Sequence, residues 1–184
     1  DDSRVPGVRA IPGAGTKVPL YILGSSTFGA QLAAHLGLPH GFAAHFAPEA
    51  LTQPGAVYRR GFQPSEQATE PWVIAGVNVI VAPTEREAAE ELNDATRSRV
   101  AALLAPGRKL SDAELDSVMS SPGGRQVASM MRYTASGTPD TVKTYLDDFQ
   151  QHANADELIV VPASRSVENR LQSLELLAQV SRLG

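Results

Sequence analysis

Apolar positions along this chain fall into short continuous runs separated by stretches with helical spacing. Leu20-Tyr21-Ile22-Leu23 suits a buried parallel strand, and Gly24-Ser25-Ser26 ends it. From Thr27 the period becomes helical, with Phe28, Leu32, Ala33 and Leu36 on one face and Gly37 as the stop. Pro39 to Phe46 predicts a second strand through Gly41-Phe42-Ala43-Ala44, and Pro48 is placed for a helix start. Pro54-Gly55 interrupts that helix, so its expected core is Ala56 to Phe62, with Tyr58 and Phe62 four apart. Trp72 to Ala82 is apolar in both alternating sets, which predicts a strand buried on both faces.

Thr84-Glu85-Arg86-Glu87 reads as a capping box, because a threonine hydroxyl and a carboxylate three residues on can satisfy each other's backbone N–H groups. The helix it opens is expected to reach about Leu104, where Pro106-Gly107 stops it. Residues 106–137 break the rhythm and read as an insertion, with a short helix after Ser111-Asp112-Ala113-Glu114 and a loop at Ser120 to Gly124. Thr138-Pro139-Asp140 begins a helix whose buried face is Val142, Tyr145, Leu146 and Phe149. Glu157 to Pro162 is a strand, and a last helix spans about Ser166 to Arg182, with Val167, Leu171, Leu174 and Ala178 in helical register. Strand and helix thus alternate four times, which predicts right-handed βαβ units and a parallel sheet. The fold class expected is α/β, about four βα units of a TIM-type (β/α)8 barrel.

Composition narrows the chemistry. Charged residues make up 20% of the chain and the net charge is −4, so neither a polyanion nor an acidic membrane surface is an expected partner. A small-molecule substrate is the better match. Cysteine is absent, which excludes disulfides and thiolate metal sites and is more consistent with a cytoplasmic location than a secreted one. No apolar run approaches the roughly 18 residues that span a bilayer. Residues 1–19 are dense in proline and glycine and read as a loop entering the first strand. The first residue is Asp1 rather than Met, so the expectation is a chain that begins inside something longer or was processed.

Gly24-Ser25-Ser26 is the candidate site. Between a strand and a helix it would offer backbone N–H groups, two hydroxyls and the positive end of the helix dipole to an anion such as phosphate. The same three residues also suit an ordinary turn with an N-cap serine. His35, His40, His45 and His152 lack metal-site spacing, and no metal ligand is assigned. His45 follows the second strand and could face a barrel mouth, although a structural or solvent role is the expectation. Tyr58-Arg59-Arg60 could reach a phosphate, although an exposed helix face accounts for the two arginines, and Met119, Met130 and Met131 read as packing.

Several segments, in order, resemble the bacterial luciferase-like, flavin-dependent monooxygenases. They are Val18 to Ser26, Ala33 to Pro39, Phe42 to Phe46, Tyr58-Arg59 with Phe62 to Ser65, Val81 to Ala88, Gly137-Thr138-Pro139 with Val142, and Arg170 with Ser173 to Leu177. The resemblance covers nearly the whole chain, residues 1–184, and places it in the C-terminal half of the family's barrel domain. It implies reduced FMN as cofactor, with its phosphate held at Gly24, Ser25 and Ser26, and a flavin reductase as the supplier. It also implies dioxygen as oxidant and an organic substrate, while a deazaflavin-dependent relative is a further possibility within the superfamily. Where relatives can place a hydroxyl residue in the first turn of the helix, this chain has Gly29. Catalytic residues are expected in the N-terminal half, so none is assigned here. Two other readings stand beside this one: an inactive half-barrel that self-associates or needs its N-terminal half, and a phosphate-binding barrel of another family.

Overall fold

The computed structural model describes residues 7, 11–13, 15–43 and 52–181. Its order is β1 (Ile22–Gly24), α1 (Thr27–Leu36), β2 (His40–Phe42), α2 (Gln53–Gly61), β3 (Val73–Val81) and α3 (Glu85–Leu104). There follow α4 (Asp112–Ser120), α5 (Pro122–Ser129), β4 (Thr134–Gly137), α6 (Pro139–Ala153), β5 (Glu157–Pro162) and α7 (Val167–Val180). The expected strand–helix alternation is present, and every strand pairing is parallel.

β3 organises the sheet. Backbone groups of successive strand residues point to opposite edges. The Trp72 carbonyl accepts from His40 N–H and Asn78 N–H donates to Tyr133, so β2 and β4 share one edge of β3, one beyond the other. The Val73 and Val79 carbonyls accept from Asp156 and Ala163, which puts β5 on the other edge. The row β1-β2-β3-β5 therefore holds the four expected strands, and β4 is an addition to it. That addition lies within residues 106–137, together with α4 and α5.

The two faces of β3 are covered differently. Ala75, Val77, Val79 and Val81 pack against Val142, Leu146 and Phe149 of α6 and Leu177 of α7, as the α6 pattern predicts. Val73 extends this face to Ala30, Ala33 and Ala34 of α1 and Tyr58 of α2. The other face carries Ile80, which meets Ala95 and Leu92 of α3 and Met131. By register Leu23, Gly41, Ile74, Gly76 and Ile159 also lie on this second face. Since α1, α2, α6 and α7 all take the first face, the second is the one that would line a closed barrel.

Four local expectations change. β1 is not buried: Leu23, on the second face, is 75% exposed. In α1 the alanines are buried while Phe28, Leu32 and Leu36 point outward, so the small residues set the close approach to α2 and β1. Pro54 and Gly55 do not break α2 but open it, since the first turn of a helix needs no proline N–H. The expected loop at Ser120 to Gly124 is a single-residue corner, with Ser121 capping α5 through the N–H of Gly124. A Cβ on Gly124 would come within 2.0 Å of the Val118 carbonyl, so glycine lets α4 and α5 meet there.

Ser111 and Glu114 form the complete capping box expected of them, whereas at the start of α3 Thr84 accepts from Glu87 N–H but the Glu87 carboxylate meets the Thr84 hydroxyl instead of its N–H. Gly37 ends α1 at φ 65°, and a Cβ there would lie 2.4 Å from the Gln63 carbonyl.

Candidate functional site

All strands run in parallel, so one rim of the sheet gathers their C-terminal ends, which is where open and closed α/β folds place ligands. Gly24-Ser25-Ser26 sits on this rim between β1 and α1, with both serines exposed. Ser26 is the N-cap in an extended conformation, yet its hydroxyl makes no capping bond. Thr84, Ser111, Ser121 and Ser166 do accept from the helices they precede. The hydroxyl of Ser26 is thus left to another acceptor, and the first turn of α1 carries no acidic residue to repel one. Gly24 and Gly29 approach closely, with a Cβ built on either only 3.7 Å from the other's Cα. This arrangement suits a phosphate: free N–H groups, an uncommitted hydroxyl and the positive helix end.

Among the described residues the histidines do not form a site. His40 is buried, its Nδ1 3.1 Å from the Ile22 carbonyl, its ring 5.6 Å from that of Tyr58, and its Nε2 without a partner. Burial pushes its pKa below the ordinary histidine value, against the smaller opposite effect of the Ile22 bond. His35 and His152 are exposed near the ends of α1 and α6, and His45 lies outside the described residues. Among the described residues no cluster of histidine and carboxylates could hold a metal.

Tyr58 and Arg59 work at the opposite rim. The Tyr58 hydroxyl donates to the Leu38 carbonyl and accepts from Trp72 N–H, both at 3.0 Å. Arg59 donates to the Asn154 carbonyl at 2.8 Å and to Asp156 at 2.7 Å, and Asp156 also accepts from Val73 N–H. These bonds tie down the N-terminal ends of β3 and β5, so Arg59 is a structural brace rather than a ligand at the rim. Arg60 bonds back to the Ala56 carbonyl of its own helix.

A feature that sequence reasoning missed lies on the same rim as the serine turn. A cavity of about 560 Å³ opens between the C-terminal ends of β3 and β5 and the helices α3 and α5. Asn78, Arg99, Arg165, Leu103, Met130 and Met131 are among its lining residues, and among the described residues no carboxylate lines it. Asn78 is 1% exposed and its amide nitrogen has no partner. The available signal was Asn78 itself, the lone polar residue of the run Val73 to Ala82. Near this rim Glu85 braces the N-terminal end of α6 to α3, accepting from the Thr141 and Thr138 hydroxyls and from Thr138 N–H. Those bonds, Thr141 first, hold its carboxyl below the usual range.

The sequence model of the luciferase-like monooxygenases matches residues 3–155. The chain belongs to that family. It is 40% identical over 191 residues to the uncharacterized protein YddN of Bacillus subtilis (strain 168), covering 97% of this chain and 54% of YddN. A luciferase-like monooxygenase of Escherichia coli (strain K12) is 48% identical over 83 residues, 45% of this chain and 25% of that protein. Among solved structures apo-MsnO8 superimposes with a TM-score of 0.76 at 29% identity, covering 100% of this chain and 56% of MsnO8. The long-chain alkane monooxygenase LadA, at 17% identity and a TM-score of 0.58, shares the fold over 86% of this chain and 39% of its own. Family membership sets aside the alternative of a phosphate-binding barrel from another family. The luciferase-like chain described here spans about half the length of the relatives it matches.

Proposed function

We propose that this chain is the C-terminal half of a flavin-dependent monooxygenase barrel, and that its own contribution is the phosphate anchor and one wall of the pocket. The observation that carries the reading is the unspent N-cap of α1: Ser26 leaves its hydroxyl uncommitted beside Gly24 and Gly29. When bound, reduced FMN would supply the reaction with dioxygen that oxidises an organic substrate. Ser25, Ser26 and the first N–H groups of α1 would hold its phosphate and so fix the depth of the ring. The second face of β3 and the rim cavity would form part of the wall that excludes water, while the acid–base residues would come from outside this chain. A separate flavin reductase would deliver the reduced cofactor, in the cytoplasm as the lack of cysteine suggests.

Backbone amide spectra of the chain titrated with FMN test the anchor. The expected result is weak binding with shifts at Ser25 to Gly29, lost in Ser26→Ala. In a complete barrel the same substitution should cost FMN binding about 1–2 kcal/mol, one charge-assisted hydrogen bond. Shifts elsewhere, or an equal response to a deazaflavin without effect of Ser26→Ala, would count against the FMN anchor.

A further inference from the structure

His40 of β2 adjoins the serine turn. Its Nδ1 is 3.1 Å from the Ile22 carbonyl, which can only accept, so Nδ1 carries the proton and Nε2 of the neutral ring is a bare lone pair. That Nε2 has no partner although the residue is fully buried. Buried polar atoms are almost always paired, and an orphan calls for a physical reason. The ring also reaches the first turn of α1: a Cβ built on Gly29 would lie 3.9 Å from Cε1, the atom between the two ring nitrogens. The first bond of that helix runs from Ala30 N–H to the Ser26 carbonyl, so the N–H groups of Thr27, Phe28 and Gly29 stand ahead of the ladder.

No charge from the described residues competes for this ring. β1 and β3 carry no ionisable side chain, and α1 carries only His35, in its last turn. From α2, Tyr58 faces the imidazole at 5.6 Å. Its hydroxyl is engaged by the Leu38 carbonyl and Trp72 N–H, and burial pushes its pKa up, so it stays neutral. Arg59 is paired with Asp156 at 2.7 Å, and Arg60 bonds back to the Ala56 carbonyl. Burial disfavours a proton on His40 in the free chain. A dianion at the turn would reverse that balance, because an opposite charge nearby favours the imidazolium.

We propose that anion binding at the serine turn is coupled to protonation of His40: as a phosphate group settles at Ser25, Ser26 and the first N–H groups of α1, Nε2 takes up one proton from solvent. The proposal rests on the reading of this turn as the phosphate anchor, and makes His40 a positioning residue that tightens the grip as pH falls. An opposite charge a few ångströms away raises a pKa by about one unit, which is about tenfold in affinity. Sulfate is the decisive probe, since it stays dianionic where the phosphate of FMN itself titrates, near about pH 6. Ring-carbon NMR of the chain, titrated in pH with and without sulfate, should move the His40 midpoint up by about one unit, with amide shifts at Ser25 to Gly29. Sulfate should bind about tenfold tighter at about pH 5.5 than at about pH 7.5. FMN should raise the same midpoint, and riboflavin, which lacks the phosphate, should not. His40→Gln keeps an N–H for the Ile22 carbonyl but takes up no proton, so its sulfate affinity should be flat with pH. The ring titration needs no variant and decides the question even if that one fails to fold. Amide shifts at the turn with an unmoved His40 midpoint would overturn the coupling and leave the anchor standing, as would a pH-dependent affinity retained in His40→Gln. No shift at the turn with sulfate or FMN would overturn both.

Discussion

At the scale of single residues, His40 shows how burial turns a titratable group into a stability term. Its Nδ1 is satisfied by the Ile22 carbonyl, whereas a proton on Nε2 would add a buried donor with nothing to accept it. The folded-state pKa is accordingly lowered, chiefly by burial. The unfolded chain then binds the proton first, so this contribution is complete above about pH 6.5, the unfolded value, and is lost as pH falls through the lower folded value. Urea midpoints should drop between pH 7.5 and pH 5, and His40→Gln should flatten that drop. An identical slope in the variant would assign the acid sensitivity elsewhere.

Among the elements, α4 and β4 differ sharply although both lie in the segment 106–137. No residue of α4 is buried, and it is held by ion pairs from Arg97 to Asp116 and Asp112 and by its corner with α5. β4 is paired to β3 from Asn78 to Val81 and contributes Ala135 to the core. Bridging Arg108 to Ser121 with a short Gly-Ser linker should therefore lower the melting temperature by only about 3 °C, equivalent to roughly 1 kcal/mol at this size. Excising the whole segment through Gly137 should unfold the protein, since it strips β4 from the sheet and Ala135 from the core. Because α5 leads into Met130 and Met131 at the cavity, loss of α4 should change ligand affinity more than stability, as a wall or lid would. A large fall in melting temperature with unchanged ligand affinity would rule out that role.

The whole molecule presents open edges. Among the described residues β1 pairs only with β2 and β5 only with β3, so the outer edges of the row are free. Apolar side chains crowd both ends: Leu23 and Phe28 at one, Ile159, Val167 and Leu171 at the other, each more than half exposed. Such edges invite strand pairing. A two-fold axis parallel to the strands would set β5 of one copy beside β1 of another with strand direction preserved. Two rows of four would then complete an eight-stranded barrel. We expect light scattering to give at least twice the 19.5 kDa chain mass, and Leu23→Lys with Ile159→Lys to return it to one. An N-terminal half-barrel added in trans should compete for the same edges. A monodisperse monomer that binds FMN at submicromolar concentration would overturn this picture and require a self-contained fold.

Much of this architecture was legible in the sequence, because strand and helix periods, caps and breakers act over a few residues. The run Trp72 to Ala82 announced the central strand, Thr84 and Ser111 announced their helices, and Val142, Leu146 and Phe149 announced a buried face. The serine turn was legible for the same reason, since Gly24, Ser25 and Ser26 are consecutive. What periodicity does not carry is the partner of an apolar face. Phe28, Leu32 and Leu36 make a stripe suited to a core, yet α1 docks through alanines, because close approach to α2 and β1 is decided by the space between elements. In α7 the stripe Val167, Leu171 and Leu174 likewise faces out, while Ser173 docks the helix by accepting Val81 N–H at 2.6 Å. The rim cavity was out of reach for a related reason. Asn78, Arg99, Met131 and Arg165 come from four separate parts of the chain, and only parallel pairing of β5 beside β3, with α3 laid over the second face, brings them to one place.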